Sequence, residues 1–487
     1  MTEARTVSQN TTYYTAALVM QKALAFVYFV LVARILGVNQ TGEYTTALTF
    51  TTIFAILIDV GFSSVLTREG AKETPQIQLL FNNIISFKIP AAIITYLIVI
   101  FIGSLLYPAS LLTLIALAGV MMILDSFSLS FWACYRAFRN LKYESLGVLI
   151  FELVKFSGGL FVLLNGYGLS ALFIALCLAS LTQFSLSLYL CLYKLRLNFK
   201  LTFSKDFFRL YFKMAWPFFL AGIFVRLYSQ IDTVLVSKIS CGSGMNNFCR
   251  SNVGWFSIAK KLSDALLFVP MAMTAALYPA MSYYFANNKD KLKSSFEEAV
   301  KYLLIISLPI TSGIWALSQP LIKMIFSGQY DNSALPLKII ICGLPFMFLT
   351  YPIGSLLNAC NLQLKNTINI AISSVLMVAL NIILIPHYAY LGAAVSIVVG
   401  NIFLVILGLR IVPRLISYNK KYLYTTLAKI FIASLLMAII IVFLVDYLST
   451  LVLLFLGVII YCLLLFVLKI IHWRDILNLK AILLKTD

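Results

Sequence analysis

The chain has 487 residues, of which 61% are hydrophobic and 11% charged, and its mean hydropathy is +0.96. A soluble globular protein does not have this composition, so the chain is predicted to be a polytopic membrane protein. The formal net charge of +19 would suggest nucleic-acid binding in a soluble protein. Here the basic residues lie mainly in short loops between apolar segments, so we expect no nucleic-acid partner.

Apolar segments long enough to cross a bilayer recur along the whole chain. They predict an all-α polytopic membrane protein with about 14 transmembrane helices. The loops between them are short, and the phosphate-binding pattern GxxxxGK[ST] is missing, so we expect neither ATP hydrolysis nor a cofactor. The predicted spans are residues 12–35, 42–66, 82–106, 109–136, 145–165, 168–193, 213–237, 252–285, 298–319, 333–358, 366–386, 389–410, 425–446 and 450–470.

Lysine and arginine are unequally divided between the two predicted sides of the membrane. With the N-terminus in the cytoplasm, 26 of them lie at inner loops and helix ends and 5 at outer ones. The positive-inside rule therefore predicts a multi-pass protein of the plasma (inner) membrane with both termini in the cytoplasm. The five outer cations are Arg34, Lys238, Arg250, Lys323 and Lys338.

Two segments share a sequence pattern. The first is LVARILGVNQTGEYTTA at 31–47. The second lies within 234–259 and reads VLVSKIS followed by SNVGWFSIA, once the intervening loop CGSGMNNFCR is removed. About 205 residues, or six predicted helices, separate them. An even number of helices gives the two halves parallel topology. We therefore predict two six-helix lobes and two additional helices. The predicted domains are 1–193, a basic cytoplasmic linker at 194–212, 213–410, and helices 13 and 14 with a cytoplasmic tail at 411–487.

Cys241 and Cys249 flank a polar loop on the predicted outer side. This arrangement predicts a disulfide-closed hairpin in an oxidising compartment. The other six cysteines lie singly in or beside apolar segments and are expected to be small core residues. Two cysteines offer too few ligands for a metal site, so none is expected. Asn39 begins a glycosylation sequon in an outer loop, which would be used only in a suitable host.

Two central apolar segments between residues 212 and 279 carry five charged residues away from their ends. One charge at the centre of a spanning helix costs about 2.5–3.5 kcal/mol on insertion scales, so these charges must face each other, water or a charged ligand. We predict a wet central cavity that holds an anionic substrate. The alternative is a buried ion network in which the two aspartates neutralise two of the cations. The five residues are Arg226, Asp232, Lys260, Lys261 and Asp264.

Four cations are the candidate substrate ligands. Arg226 lies near the middle of its predicted span, and a guanidinium can bind a phosphate through two N–H groups. Lys22 lies about 15 Å into the first helix, too deep to reach the membrane surface easily. Lys260 and Lys261 are adjacent and cannot share one helix face. Lys260 is spaced to pair with Asp264, which predicts either that Lys261 is the cation left for the substrate or that the cavity extends round the helix.

Five carboxylates are candidates for ion coupling. Asp59 and Asp125 are lone acids of the second and fourth predicted helices, and either could bind Na⁺ or a proton. For Asp59, a structural cap or ion pair is an equal alternative. Glu152 lies three residues before Lys155, which favours an internal ion pair over ion coupling. Asp232 and Asp264 complete the set.

Four segments resemble the polysaccharide-transport branch (O-antigen and oligosaccharide flippases) of the multidrug/oligosaccharidyl-lipid/polysaccharide exporter superfamily. The resemblance extends over nearly the whole chain and agrees with the predicted span count. The segments are VARILGVNQTGEYTTALTFTTIFAILIDVGFSSVLTRE at 32–69, WPFFLAGIFVRLYSQIDTVLV at 216–236, VGWFSIAKKLSDALLFVPMAMTAALYPAMS at 253–282 and NIILIPHYAYLGAAVSIVVGN at 381–401.

The resemblance implies a flippase that moves a polyprenyl-pyrophosphate-linked oligosaccharide from the cytoplasmic to the outer leaflet by alternating access. It also implies a cationic role for Lys22, and as partners the lipid-linked glycan, membrane lipids and other polysaccharide-assembly proteins. The alternatives are a flippase of the peptidoglycan lipid precursor or an ion-coupled drug antiporter. A membrane enzyme is disfavoured because the longest outer loop, around Cys241, contains no acidic residue.

Overall fold

The computed structural model describes residues 2–72, 77–138, 140–202, 204–240 and 247–470, with side chains from residue 17 onward except at 207, 247–249, 420 and 422. Every secondary-structure element in these ranges is helical, which confirms an all-α fold. The described α-helices are α1 Thr2–Asp59, α2 Phe62–Gly70, α3 Ile77–Leu106, α4 Ala109–Ala137, α5 Lys142–Leu164, α6 Gly168–Tyr189, α7 Lys205–Ile239, α8 Asn247–Ala265, α9 Phe268–Asn287, α10 Lys289–Phe326, α11 Ala334–Cys342, α12 Leu344–Ala359, α13 Gln363–Tyr388, α14 Tyr390–Ile411, α15 Lys420–Leu444 and α16 Thr450–Val467.

The helices confirm a polytopic membrane protein. Within the described ranges, twelve helical segments are long and apolar enough to cross a membrane. A thirteenth is added if the pair Gly328–Cys342 and Leu344–Ala359, bent by 40°, counts as one span. The segment containing α1 is counted once, although Gly37 interrupts the helix with φ 76° and ψ 178°. One predicted span, 12–35, lies before this break and another, 42–66, lies after it. The count of fourteen spans stays a prediction.

A sharp corner ends α1 earlier than the sequence predicts. The predicted span 42–66 stops being one helix at Asp59, because Val60 and Gly61 have φ of 50° and 80°. A Cβ at Gly61 would lie 2.8 Å from the carbonyl oxygen of Ala215 and 2.8 Å from Cβ of Phe218. Close packing against α7 therefore requires glycine at this turn, and Asp59 becomes the last residue of α1.

The chain forms two compact units. Unit 1 contains residues 1–257 and 374–393, and unit 2 contains 258–373 and 394–487. In unit 1, α1 packs against α3, α4, α5 and α7. In unit 2, α10 packs against α11, α12 and α15, and the Tyr461 hydroxyl donates to the Ile305 carbonyl at 2.8 Å. The predicted lobes at 1–193 and 213–410 stay predictions.

The predicted linker at 194–212 is partly extended and partly helical. Alternate backbone N–H groups of its extended part donate to polar side chains of α3, and an extended chain presents every second N–H to the same side. The remaining residues begin α7 at Lys205. The donor and acceptor pairs are Asn198 to Gln78 Oε1 at 2.9 Å, Lys200 to Asn82 Oδ1 at 3.3 Å, Thr202 to Ser86 Oγ at 3.0 Å and Ser204 to Asn83 Oδ1 at 3.1 Å.

Candidate substrate and ion sites

Arg226 lies on α7 in unit 1 and is partly buried. Its Nη1 donates a hydrogen bond of 2.7 Å to the backbone carbonyl of Thr52 on α1. A guanidinium carries five N–H donors, so this bond leaves others for a ligand. A partly exposed arginine inside a helix of membrane length can therefore bind an anion while it is anchored to α1.

A buried ion pair joins Asp59 to Lys88 of α3. Lys88 is 0% exposed, and its Nζ lies 2.6 Å from Asp59 Oδ1. The same Nζ donates to the Ser126 carbonyl of α4 at 2.8 Å. The Ser63 hydroxyl of α2 also donates to Asp59. The charge of Asp59 acts on Arg226 as well, so this carboxylate lies in the electrostatic field of two cations.

Lys88 is absent from the predicted site residues. A signal was present, because it is a lysine inside the predicted apolar span 82–106, as Lys22 is inside the first. Its pairing with Asp59 agrees with one alternative from the sequence, namely that Asp59 belongs to a structural ion pair and does not couple transport to an ion. Removal of either member would leave an unpaired charge in a closely packed interior.

Glu152 and Lys155 form the ion pair that their spacing on α5 predicts. Glu152 is buried, and 15% of the Lys155 side chain is exposed. Lys155 Nζ also lies 5.4 Å from the ring centroid of Tyr28 and 5.5 Å from that of Phe151. These two rings add cation–π stabilisation to the ion pair.

Asp125 of α4 is close to this ion pair. Its side chain is accessible to solvent, although neighbouring helices surround it. The charge of Lys155 acts on it. The structure thus brings Asp125, Glu152 and Lys155 together on α4 and α5 of unit 1. Two carboxylates with one lysine leave a net charge of −1, which suits a monovalent cation or a proton.

The remaining predicted site residues are divided between the units. Asp232 is 1% exposed, and its Oδ1 accepts from the Thr233 backbone N–H at 2.8 Å. Lys22 is exposed on α1. Unit 2 contains Lys260, which is partly buried, and the exposed Lys261 and Asp264, all on α8. The predicted pairing of Lys260 with Asp264 and the binding roles of these residues stay predictions.

The predicted disulfide lies outside the part of the chain that is described. Cys241 belongs to an undescribed segment, and the side chain of Cys249 is not described. The sequon residue Asn39 is described, and its Oδ1 accepts from the Ser251 hydroxyl at 2.6 Å. Next to this contact, Arg250 Nη1 lies 2.8 Å from Glu43 Oε1.

The chain matches two protein-family models. The model described as polysaccharide biosynthesis protein matches residues 7–285, and the MatE model matches residues 217–383. The first of these covers more than half of the chain.

Several known proteins are similar in sequence or structure. The lipid II flippase MurJ of Bacillus subtilis (strain 168) is 23% identical over 247 residues, which are 49% of this chain and 45% of that protein. The chain therefore matches less than half of the length of this relative. The capsular polysaccharide biosynthesis protein CapF of Staphylococcus aureus is 23% identical over 412 residues, which are 81% of this chain and 96% of CapF.

A solved structure of the lipid II flippase MurJ in an inward closed conformation has a TM-score of 0.77 and 17% sequence identity, and the match covers 95% of this chain and 99% of that one. At this identity the likeness shows the fold, which is the fold of the superfamily that the sequence motifs suggested. The chain therefore belongs to the polysaccharide biosynthesis protein family, whose model matches more than half of it.

Proposed function

We propose that the protein is a flippase that moves a polyprenyl-pyrophosphate-linked oligosaccharide, such as an O-antigen or exopolysaccharide repeat unit, from the cytoplasmic to the outer leaflet by alternating access. The observation that carries this proposal is Arg226, a partly exposed guanidinium held by Thr52 inside a membrane-length helix. The pyrophosphate is the most anionic part of such a cargo, and guanidinium groups bind phosphate oxygens in pairs. Membership of the polysaccharide biosynthesis protein family supports a glycan as the cargo.

Lys22, Lys260 and Lys261 are proposed as further cations for the pyrophosphate or for acidic sugars. The proposal includes the predicted lobes, a plasma-membrane location and termini in the cytoplasm. Proteins that assemble the polysaccharide are proposed partners, because a flipped repeat unit must be supplied on one side of the membrane and consumed on the other.

A flippase of the peptidoglycan lipid precursor is the second candidate. The likeness to MurJ over 95% of the chain supports it, and a lipid-linked pyrophosphate would use the same cations. An ion-coupled drug antiporter is the third candidate, supported by the MatE match at 217–383. The lipid that co-purifies with the protein distinguishes these three functions.

The first test is mass spectrometry of the lipids that co-purify with the wild type, with Arg226→Ala and with Arg414→Ala, a control that removes an exposed arginine near the end of α14. We expect a polyprenyl-pyrophosphate glycan on the wild type and on the control, and at least about tenfold less on Arg226→Ala, since charge-assisted hydrogen bonds contribute about 1.5–3 kcal/mol. Bulk phospholipid alone on the wild type would contradict the proposal. A muropeptide-bearing lipid would favour the second candidate.

Ion coupling is proposed for Asp125, with Glu152 beside it and Asp59, Asp232 and Asp264 as weaker candidates. Asp125→Asn removes the charge with little change in volume, so we expect glycan export to fall and to lose its dependence on a Na⁺ or proton gradient. Export into the outer leaflet of proteoliposomes with imposed gradients measures this, and Asp290→Asn, at the exposed start of α10, is the control. Unchanged gradient dependence in Asp125→Asn would exclude the residue from coupling.

A further inference from the structure

A cavity of about 740 Å³ in unit 2 is separate from the sites described above. Its wall is formed by the last turns of α10, by Lys338 of α11, and by Asp446 and Thr450 around the connection between α15 and α16. Ligand pockets in proteins typically have volumes of about 300–1,000 Å³, so this space can hold a small molecule or part of a larger one. The predicted orientation places this end of α10 on the outer side of the membrane.

Two lysines from different helices border the cavity. Lys323 belongs to α10 and Lys338 to α11. Lys323 Nζ lies 3.5 Å from Asp331 Oδ2, yet 52% of its side chain remains exposed. The two lysines outnumber Asp446, the one carboxylate among the described residues of the cavity lining, so the wall favours a ligand that carries negative charge.

The other groups at the cavity suit a carbohydrate. Gln319, Thr450 and Asp446 supply both donors and acceptors, which the hydroxyl groups of a sugar require. Beside the cavity, Lys338 Nζ lies over the Trp315 ring, 5.1 Å from its centroid, and this cation–π contact helps to hold the ammonium group at the cavity wall.

We propose that this cavity binds an acidic carbohydrate, one whose sugars carry carboxylate groups. The inference rests on the proposed function, because the ligand would be the glycan of the translocated lipid after it reaches the outer side. Lys323 and Lys338 bind the carboxylates, Asp446 and Gln319 bind hydroxyls, and Trp315 holds Lys338 in place. The site holds the glycan at the exit side, through residues other than those proposed for the pyrophosphate.

The test is equilibrium binding of tetragalacturonate to the full chain in phosphatidylcholine nanodiscs, with maltotetraose as the neutral comparison. We expect tetragalacturonate to bind and maltotetraose to bind at least about tenfold more weakly. Lys338→Gln should weaken tetragalacturonate binding about tenfold or more, since it removes one charge-assisted contact and leaves the Lys323–Asp331 pair in place. Lys289→Gln, at the other end of α10, removes an equal charge and should bind as the wild type does.

Equal binding of the two oligosaccharides, or unchanged binding in a folded Lys338→Gln protein, would overturn the proposal. Displacement of tetragalacturonate by soluble glycerol 1-phosphate at constant ionic strength would instead identify a headgroup site and would also overturn the proposal. Because the probe is water-soluble and lacks a pyrophosphate, the effect of Lys338→Gln on its binding tests this cavity and not the pyrophosphate site at Arg226. If tetragalacturonate binding depends on Lys338 but no lipid-linked glycan co-purifies with the protein, the proposed function is contradicted and the carbohydrate site is not.

Discussion

Asp59 and Lys88 illustrate how single charged side chains are tolerated inside the membrane domain. Lys88 has its charge compensated by Asp59 and its remaining donors satisfied by Ser126 and Ser63. Desolvating two charges is expensive, and a buried pair is retained only when geometry and hydrogen bonds compensate it. The sequence indicates Asp59 as a candidate but does not predict that Lys88 is its partner, because the two lie 29 positions apart with a helix corner between them.

Breaking this pair should be strongly destabilising. Lys88→Met leaves an uncompensated carboxylate, so we expect a loss of about 3–5 kcal/mol in the free energy of unfolding. Lys88→Met combined with Asp59→Asn should recover most of it. Melting temperature in detergent measures both changes. The matched control is Lys72→Met, which removes an exposed lysine paired with Glu69 and should cost about 1 kcal/mol or less.

If Lys88→Met melts like the wild type, Asp59 is not held by this lysine in the folded protein. It would then be available as an ion-coupling residue. The control matters because Lys72 has 60% of its side chain exposed, so solvent already compensates its charge.

At the scale of elements, the two repeated segments contact each other through their glycines. A Cβ at Gly42 would lie 2.1 Å from the carbonyl oxygen of Arg250, and one at Gly254 would lie 2.3 Å from that of Val38. Each glycine thus packs against the backbone carbonyl of the residue four positions before the other glycine. This reciprocal contact matches the alignment of Gly42 with Gly254 in the predicted repeat. Small residues allow two membrane helices to approach this closely.

The glycine contact gives a prediction with a close control. Gly42→Ala forces α1 and α8 apart, so we expect a destabilisation of about 1–3 kcal/mol, the usual cost of overpacking. Gly158→Ala, inside α5, would place its Cβ 3.7 Å from the nearest atom and should be tolerated. Melting temperature and yield of folded protein measure the difference. Equal stability of the two variants would show that these helices do not meet at Gly42.

At the scale of the whole molecule, the distribution of basic residues predicts the orientation, while the structure shows which helices form which unit. The twenty-six inner cations and five outer ones are a property of the sequence. The division into two units is not visible in it, because the boundaries lie within α8, α13 and α14 rather than in loops. Hydropathy locates spans but carries no information on which spans pack together.

Orientation can be tested by labelling intact cells with a membrane-impermeant maleimide. In a chain whose exposed Cys342 and Cys462 are replaced by alanine, we expect Gln329→Cys to react and Lys421→Cys to react only after permeabilisation. A peptide linking Cys241 to Cys249, found by mass spectrometry without reductant, would confirm the predicted outer disulfide. The reverse labelling pattern would contradict the orientation and make that disulfide implausible.

The sequence by itself determined the membrane class, the all-α fold, the family and the Glu152–Lys155 pair. Each of these depends on composition, motifs or residues a few positions apart, and an α-helix places i and i+3 on one face whatever surrounds it. Only the tertiary structure decided that Asp59 pairs with Lys88, that Arg226 bonds to a carbonyl 174 residues away, and that the linker runs extended along α3. Those contacts depend on how helices are rotated and packed against each other, and hydrophobic periodicity does not encode that geometry in a chain that is apolar on nearly every helix face.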